Sequence, residues 1–412
     1  MNHSDTLKFV IVGHVDHGKS TLIGRLFYDT DCLPPDKVEE IEKTSKELGR
    51  EVEFAFLLDH LQEEREQGIT IDTAQTFFKT EKRKYVIIDA PGHVEFVKNM
   101  ITGASQAEAA ILIVDALEGV KEQTRRHAYI LSLLGLDQVI VIINKMDAVN
   151  YDENRFNTVK NDVEKFLESI NIKAKYYLPI SALKGDNVAK KSENMKWYQG
   201  VTVLESLDSL KNKPPAEDKP LIFPIQDVYK IDGKRINVGR VEAGIIEKGQ
   251  IIKILPTGQV TRVKSIEKFM ENTDRSVAGE STGFTTEDPV FLERGHVVCL
   301  PGNEPYLTDT FKANVFWMFR KPLDINEKIT LKCATQEVSC RVQSIEKRMN
   351  SSTLELLERN ATILENLEVG EVIIKTKHPI AVKTFNEVQE LGRFVLERDQ
   401  LTCAGGIITE IL

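Results

Sequence analysis

The sequence predicts an α/β domain built on a doubly wound, mostly parallel sheet, followed by two β-barrel domains. Three observations carry that fold class. A glycine-rich phosphate cradle lies between a strand-like run and a helical one near the N-terminus. Strand-like and helical patterns then alternate to residue 212, and beyond a proline-rich linker short β-type runs separated by turn signals prevail. A chain of 412 residues is long enough for each part to bury its own core.

The first element is the run Leu7 to Val12 (Leu-Lys-Phe-Val-Ile-Val), an apolar stretch suited to a buried strand. Gly13, His14, Val15, Asp16, His17, Gly18, Lys19 and Ser20 follow and match G-x-x-x-x-G-K-[ST] at every fixed position, with Thr21 next. Leu22, Ile23, Leu26 and Phe27 then repeat at helical spacing. In such a strand–loop–helix, Gly13 and Gly18 allow tight turns, so that successive amides and the helix N-terminus face phosphate oxygens. Lys19 would reach the β- and γ-phosphates, and the Ser20 hydroxyl would ligate Mg2+, a hard ion that takes few protein ligands.

A charged stretch, Gln62 to Gln67, precedes Gly68-Ile69-Thr70-Ile71. Thr70 is the expected switch threonine, its hydroxyl and amide meeting Mg2+ and the γ-phosphate. Tyr85 to Ile88 reads as a strand ending in Asp89, Ala90, Pro91 and Gly92, which places a carboxylate near the metal and a glycine amide near the γ-phosphate. His93 follows and is expected to orient the attacking water. With Lys19 and Thr70 it forms the expected catalytic set.

Further buried strands are expected at Ala110 to Val114, Val139 to Ile143 and Tyr176 to Ile180. Helices lie between them: Val97, Met100, Ile101 and Ala104 mark one, His127, Ile130, Leu131 and Leu134 another, and Phe156, Val159, Val163, Phe166 and Ile170 a third. Ligands of such sheets bind beyond the carboxyl ends of the strands, and the residues there are Gly13, Asp89, Asp115, Asn144 and Ser181. Four of these five begin nucleotide motifs.

Asn144, Lys145, Met146 and Asp147 choose the base. The Asp147 carboxylate can accept from both N1-H and the 2-amino group of guanine, whereas adenine has an unprotonated N1 and no 2-amino group. ATP would leave that carboxylate unpaired at a cost of about 1 to 3 kcal/mol. Ser181, Ala182 and Leu183 supply amides toward the guanine O6. The nucleotide is therefore GTP, with Mg2+ held by Ser20, Thr70 and Asp89.

Lys211 to Pro220 is charged and proline-rich and ends the helical periodicity. The expected division is a GTP-binding domain at 1–212, a linker at 213–220, one barrel at 221–303 and a second at 304–412. Asp232-Gly233, Ala243-Gly244, Lys248-Gly249 and Pro256-Thr257-Gly258 separate the runs of the first barrel, among them Gln250 to Leu255 and Gln259 to Ile266. Arg262 to Lys268 (Arg-Val-Lys-Ser-Ile-Glu-Lys) is echoed by Arg341 to Lys347 (Arg-Val-Gln-Ser-Ile-Glu-Lys), which points either to related barrels or to equivalent hairpins.

The charge count, 54 basic against 63 acidic residues, offers no global basic field for nucleic acid, although a patch on one face would not show in the sum. Five scattered cysteines without a Cys-x-x-Cys pair indicate neither a disulfide framework nor a zinc site. No run of about 18 apolar residues occurs and the N-terminus lacks a signal-peptide pattern, so a cytoplasmic protein with no membrane partner is expected.

Gly13 to Thr21, Gly68 to Ile71, Asp89 to His93, Asn144 to Asp147 and Ser181 to Leu183 together resemble the full motif set of the translation-factor GTPases. That resemblance implies an apolar gate of Val15 and Ile69 beside the water positioned by His93. Leu22 to Thr30, Leu61 to Asp72, Thr80 to Lys84, Gln123 to His127 and Gly185 to Gly200 resemble most the large GTPase subunit of heterodimeric sulfate adenylyltransferase. A member of that family would hydrolyse GTP to drive adenylyl sulfate synthesis from ATP and sulfate by a separate catalytic subunit, its partner. His14 and His17 depart from that family, which commonly carries Ser and Asp there, and take the elongation-factor form. Asp89 to His93 and Asn99 to Ser105 lean the same way, toward the alternative of an elongation factor that delivers aminoacyl-tRNA.

Overall fold

The computed structural model describes residues 6–32, 75–88, 107–212, 216–231, 233–268 and 273–412. The chain forms two compact units, Met1–Lys213 and Pro214–Leu412.

In the first unit the described elements run β1 (Thr6–Gly13), α1 (Lys19–Asp29), β2 (Gln75–Lys79), β3 (Lys84–Ile88), β4 (Ala109–Asp115), α2 (Glu122–Leu133), β5 (Val139–Asn144), α3 (Glu153–Ser169), β6 (Ala174–Pro179) and α4 (Val203–Asp208). The strands form one sheet in the order β2-β3-β1-β4-β5-β6. β1, β3, β4, β5 and β6 are parallel, and β2 joins β3 as an antiparallel edge. β4 and β5 are buried at every residue, which explains their unbroken Val/Ile/Leu runs. Leu22, Leu26, Phe27 and Leu178 share a buried core with Phe9, Phe78 and Tyr85, whose rings pack against one another.

Two elements were not anticipated. β2 carries only five residues and is reached by the tight Thr80–Arg83 turn, too short for periodicity to reveal. α4 is one and a half turns set by a capping box, in which Thr202 accepts from the Glu205 amide and Glu205 accepts from the Thr202 amide. The last strand also begins two residues earlier than expected and stops at Pro179.

The second unit contains two antiparallel rings. The first closes through strands Ile251–Leu255, Gln259–Glu267, Ser281–Thr286, Lys234–Arg240, Ile222–Ile231 and Val297–Cys299. The second runs Ile329–Cys333, Arg393–Arg398, Leu401–Ile411, Tyr306–Trp317, Glu368–Val382 and Gln336–Asn350, then closes on its first strand. Leu356–Ala361 is appended at the edge. A buried seam of Ile222, Ala243, Leu255, Val297 and Cys299 against Ala381, Val388 and Leu391 joins the rings. The echoed heptapeptides lie on strands with a register break at the same point, between Val263 and Ser265 in one ring and Val342 and Ser344 in the other. Their shared pattern is therefore that of a bulged strand with Val and Ile turned inward.

Candidate nucleotide-binding site

The order of the sheet reverses around β1, so that β1 and β4 form the switch point where a doubly wound sheet opens a crevice. Gly13 ends β1 and passes so close to β4 that a Cβ there would run into the Ile113 carbonyl oxygen. Gly18 has φ 93°, and a Cβ on it would strike the Asn144 side chain. Asp16, at φ 63°, is a second left-handed residue in the loop. The tight loop from Gly13 to Gly18 brings Lys19 back over it, the ammonium donating to the carbonyls of Gly13 and His14 at 2.9 Å each. α1 starts immediately after, with no side-chain cap and no acidic residue in its first turn. Its uncovered amides and positive dipole end suit an anion. Ser20 is exposed there, Thr21 partly so, and Val15 and His14 are half-buried beside the loop.

His17 is fully buried. Its Nδ1 accepts from the Asp115 amide at 3.2 Å, its carbonyl accepts from Asn144 Nδ2 at 2.9 Å, and its ring meets that of His14 edge-on at 5.1 Å. Burial pushes its pKa down, helped by the neighbouring His14, so the ring stays neutral. His127 on α2, packed against the same loop, is driven to about 3, mainly by burial and then by the charge of Lys19.

Asn144 also accepts the Ala182 amide on Oδ1 at 2.9 Å, so a single side chain ties the phosphate loop to the Ser181–Leu183 loop. Lys145 is left-handed (φ 61°) and leads into a short 3-10 turn, Met146–Val149, whose first amide is held by the Ile180 carbonyl at 3.0 Å. Met146 is buried beneath it. Asp147 sits in this turn, and its Oδ1 is buried without a hydrogen-bond partner among the described residues. An acceptor left unpaired in a polar pocket is costly, and guanine N1-H and the 2-amino group are donors of the matching kind. The residues thus fit GTP. Ser181 is buried, while Leu183 is exposed.

Asp115 was singled out only by its place at a strand end, yet it joins several parts of the site. Its carboxylate is 2.8 Å from Lys145 Nζ and accepts from the amides of Leu117 and Glu118. Burial opposes its charge, but Lys145 and those two amides hold the pKa below the usual carboxylate range. Arg155 on α3 was missed altogether. It donates to the carbonyls of Ala116 and Leu117 and so braces the loop that follows Asp115. Gly68, Ile69, Thr70 and Ile71, and likewise Asp89, Ala90, Pro91, Gly92 and His93, lie outside the described residues.

The Gly185–Gly200 stretch proves to be a brace behind the base-reading turn. Asp186 accepts from the Tyr151 hydroxyl and the Ser192 hydroxyl, Asn187 donates to the Pro179 carbonyl, and the Trp197 indole donates to the Tyr151 carbonyl at 3.0 Å.

Comparison with known families places the elongation factor Tu GTP binding domain over residues 4–215, elongation factor Tu domain 2 over 235–299 and the GTP-eEF1A C-terminal domain-like family over 310–409. Elongation factor 1-alpha of Saccharolobus solfataricus is 41% identical over 100% of this chain and 98% of its own length. The proteins of the same name from Methanopyrus kandleri and Pyrococcus furiosus are 41% and 40% identical, each over 98% of this chain and 97% of their own. Among solved structures, sup35 complexed with GDP aligns over 100% of this chain and 95% of its own with 25% identity and a TM-score of 0.46, too loose a superposition to argue from.

These full-length relatives overturn the sulfate adenylyltransferase reading, and with it adenylyl sulfate synthesis and a catalytic-subunit partner. The physical reason lies in the brace: Ser192 bonds Asp186 and Trp197 bonds the Tyr151 carbonyl, so these residues hold the GTPase unit together locally. A resemblance there reports how this unit is packed and not what the GTPase drives. No helix among the described residues is long and apolar enough to cross a membrane. The chain is a GTP-binding member of the elongation factor Tu/elongation factor 1-alpha family of translation-factor GTPases.

Proposed function

We propose that this protein is a translation elongation factor that carries aminoacyl-tRNA while GTP is bound and lets it go after hydrolysis, acting in the cytoplasm. The observation that supports this reading most is the match over essentially the whole chain, both barrels included, to proteins named elongation factor 1-alpha. A GTPase unit shared with other translation-factor relatives would not by itself favour it. In this reading the domains divide at residues 212 and 303, and the barrels carry surface used by the cargo.

The chain's own part in hydrolysis divides as follows. The amides of the cradle and the Lys19 ammonium bind the phosphates, and Asp147 selects guanine. Ser20, Thr70 and Asp89 would hold Mg2+, which supplies charge neutralisation at the β- and γ-phosphates. His93 orients the attacking water, with Val15 and Ile69 excluding other solvent. In this reading Thr70 and the Asp89–His93 loop would meet the γ-phosphate and lose it after hydrolysis, which gives two states for a cargo to distinguish.

The test is protection of the aminoacyl ester of a charged tRNA from spontaneous hydrolysis, with the full chain loaded with GTP, a non-hydrolysable GTP analogue or GDP. Protection with GTP and the analogue, lost with GDP and weakened by added salt as phosphate contacts require, is the expected result. Equal or absent protection in all three states would overturn the proposal.

A further inference from the structure

We propose that Asp115 is a positioning residue for guanine-nucleotide binding, tying the phosphate loop to the base-reading turn through the two ends of one residue. Its backbone amide donates to Nδ1 of the buried His17 in the phosphate loop. Its carboxylate, with a side chain only 4% exposed, holds the Lys145 ammonium at 2.8 Å. Lys145 is the left-handed residue that launches the turn bearing Asp147. A non-glycine residue in that conformation is strained by about 1 to 3 kcal/mol and persists where its surroundings hold it. The ion pair grips the end of the side chain, and the Met146 amide to Ile180 carbonyl bond grips the backbone one residue later. Arg155 pins the Ala116 and Leu117 carbonyls, which keeps the Asp115 carboxylate from following Lys145 into solvent.

The plain alternative is that Asp115 merely closes the turn after β4 by accepting the Leu117 and Glu118 amides. Asparagine separates the two roles, because its side-chain oxygen still accepts those amides while the charge that holds Lys145 is gone. Lys145→Met removes the same pair from the other side and keeps the apolar stem. The inference deepens the GTP-site reading and is independent of what the protein carries.

The experiment measures affinities of the full chain for fluorescent GDP, GTP and IDP in wild type, Asp115→Asn, Lys145→Met and the double variant. IDP lacks the 2-amino group, so its ratio to GDP reports how well Asp147 is aimed. Each single variant should lose about tenfold for GDP and GTP alike and narrow the GDP-over-IDP ratio, and the double variant should lose no more than either single, since all three break one contact. A loss within about twofold in either single variant with an unchanged ratio, or losses that multiply in the double variant, would overturn the role. If circular dichroism shows Asp115→Asn to be unfolded, Asp115→Glu, which keeps the charge but moves the carboxylate off Lys145, takes its place and is judged by the same thresholds. Wild type that fails to bind GDP would instead sink the site itself, so the two failures are distinguishable.

Discussion

Buried polar side chains in the GTP-binding unit and charged side chains on the barrels are spent in opposite ways. In the first unit His17, Asp115, Asn144 and Ser181 are buried at the carboxyl ends of parallel strands. There His17, Asp115 and Asn144 hydrogen-bond to loop backbone across strand boundaries. Around them the structure keeps costly features, namely left-handed Asp16 and Lys145 and an Asp147 oxygen without a partner among the described residues. In the second ring the charges pair with one another along neighbouring strands: Lys312 with Glu346 and Glu371, Lys347 with Glu371, and Arg348 with Glu358 and Glu368. Partly exposed pairs of that kind contribute little each. Left-handed non-glycine residues occur in the second ring as well, Leu354 and Leu367 among them, so strain does not tell the regions apart. The buried Asp147 carboxylate oxygen without a partner among the described residues is what marks where a ligand completes the structure, whereas mutual pairing marks a scaffold.

The contrast can be broken most forcefully at Asp147. Asp147→Asn replaces two acceptors by an amide that can donate to the 2-oxo group of xanthine, so GTP affinity should fall about 1000-fold while XTP gains, at roughly 1.5 to 3 kcal/mol for each charged hydrogen bond lost. Competition binding with the two nucleotides checks it, and retained GTP preference would remove Asp147 from the base pocket.

Next in size is the scaffold counterpart, Trp317. This largest fully buried side chain donates its indole N-H to the Lys321 carbonyl and lies under the Arg398 guanidinium. Trp317→Ala should cost about 3 to 5 kcal/mol by opening the ring core. The chain has 2 tryptophans, so Trp197 beside the base-reading turn remains as the sole indole reporter of the other unit. Urea titration should show far-ultraviolet dichroism lost early while Trp197 fluorescence and GTP affinity stay put. Simultaneous loss of both signals would erase the distinction between the units.

The smallest effect concerns pH. Burial and the nearby Glu390 charge raise Glu242 to about 7 against the opposing pull of Arg240 and Arg393. The folded chain then holds that proton longer than the unfolded chain, so the Glu242 contribution to stability falls as pH rises from about 4.5 to about 7. Glu242→Gln should remove that falling contribution, so that its stability gains on wild type as pH rises, by up to about 2 kcal/mol at neutral pH. His127, held at about 3 in the folded chain against 6.5 when unfolded, is protonated only in the unfolded chain between those values, so its contribution raises stability as pH climbs to about 6.5 and opposes that of Glu242 in both proteins. Denaturation midpoints measured across pH in both proteins test the pair, and parallel curves would show that Glu242 is ionised throughout.

Much of the first unit was legible because its signals are local. An unbroken apolar run such as Val139 to Ile143 has one comfortable place, inside a parallel sheet, and G-x-x-x-x-G-K-[ST] between a strand and a helix leaves one geometry for its glycines. β2 and α4 escaped because five or six residues carry too little period to read. The subunit resemblance misled because Gly185 to Gly200 makes its bonds within the GTPase unit, to Pro179 and Tyr151, and internal packing says nothing of a particular partner.

By itself the sequence determined the nucleotide motifs, their order on strand ends and the change from α/β to β-rich architecture, since each depends on residues close together in the chain. Tertiary structure alone decided that Asp115 meets both His17 and Lys145, that Arg155 braces the loop between them, and that a seam led by Ile222 and Ala381 joins the rings. Those contacts bridge residues about 30 to 160 positions apart, and only the closing of sheet and barrels brings such partners within bonding distance.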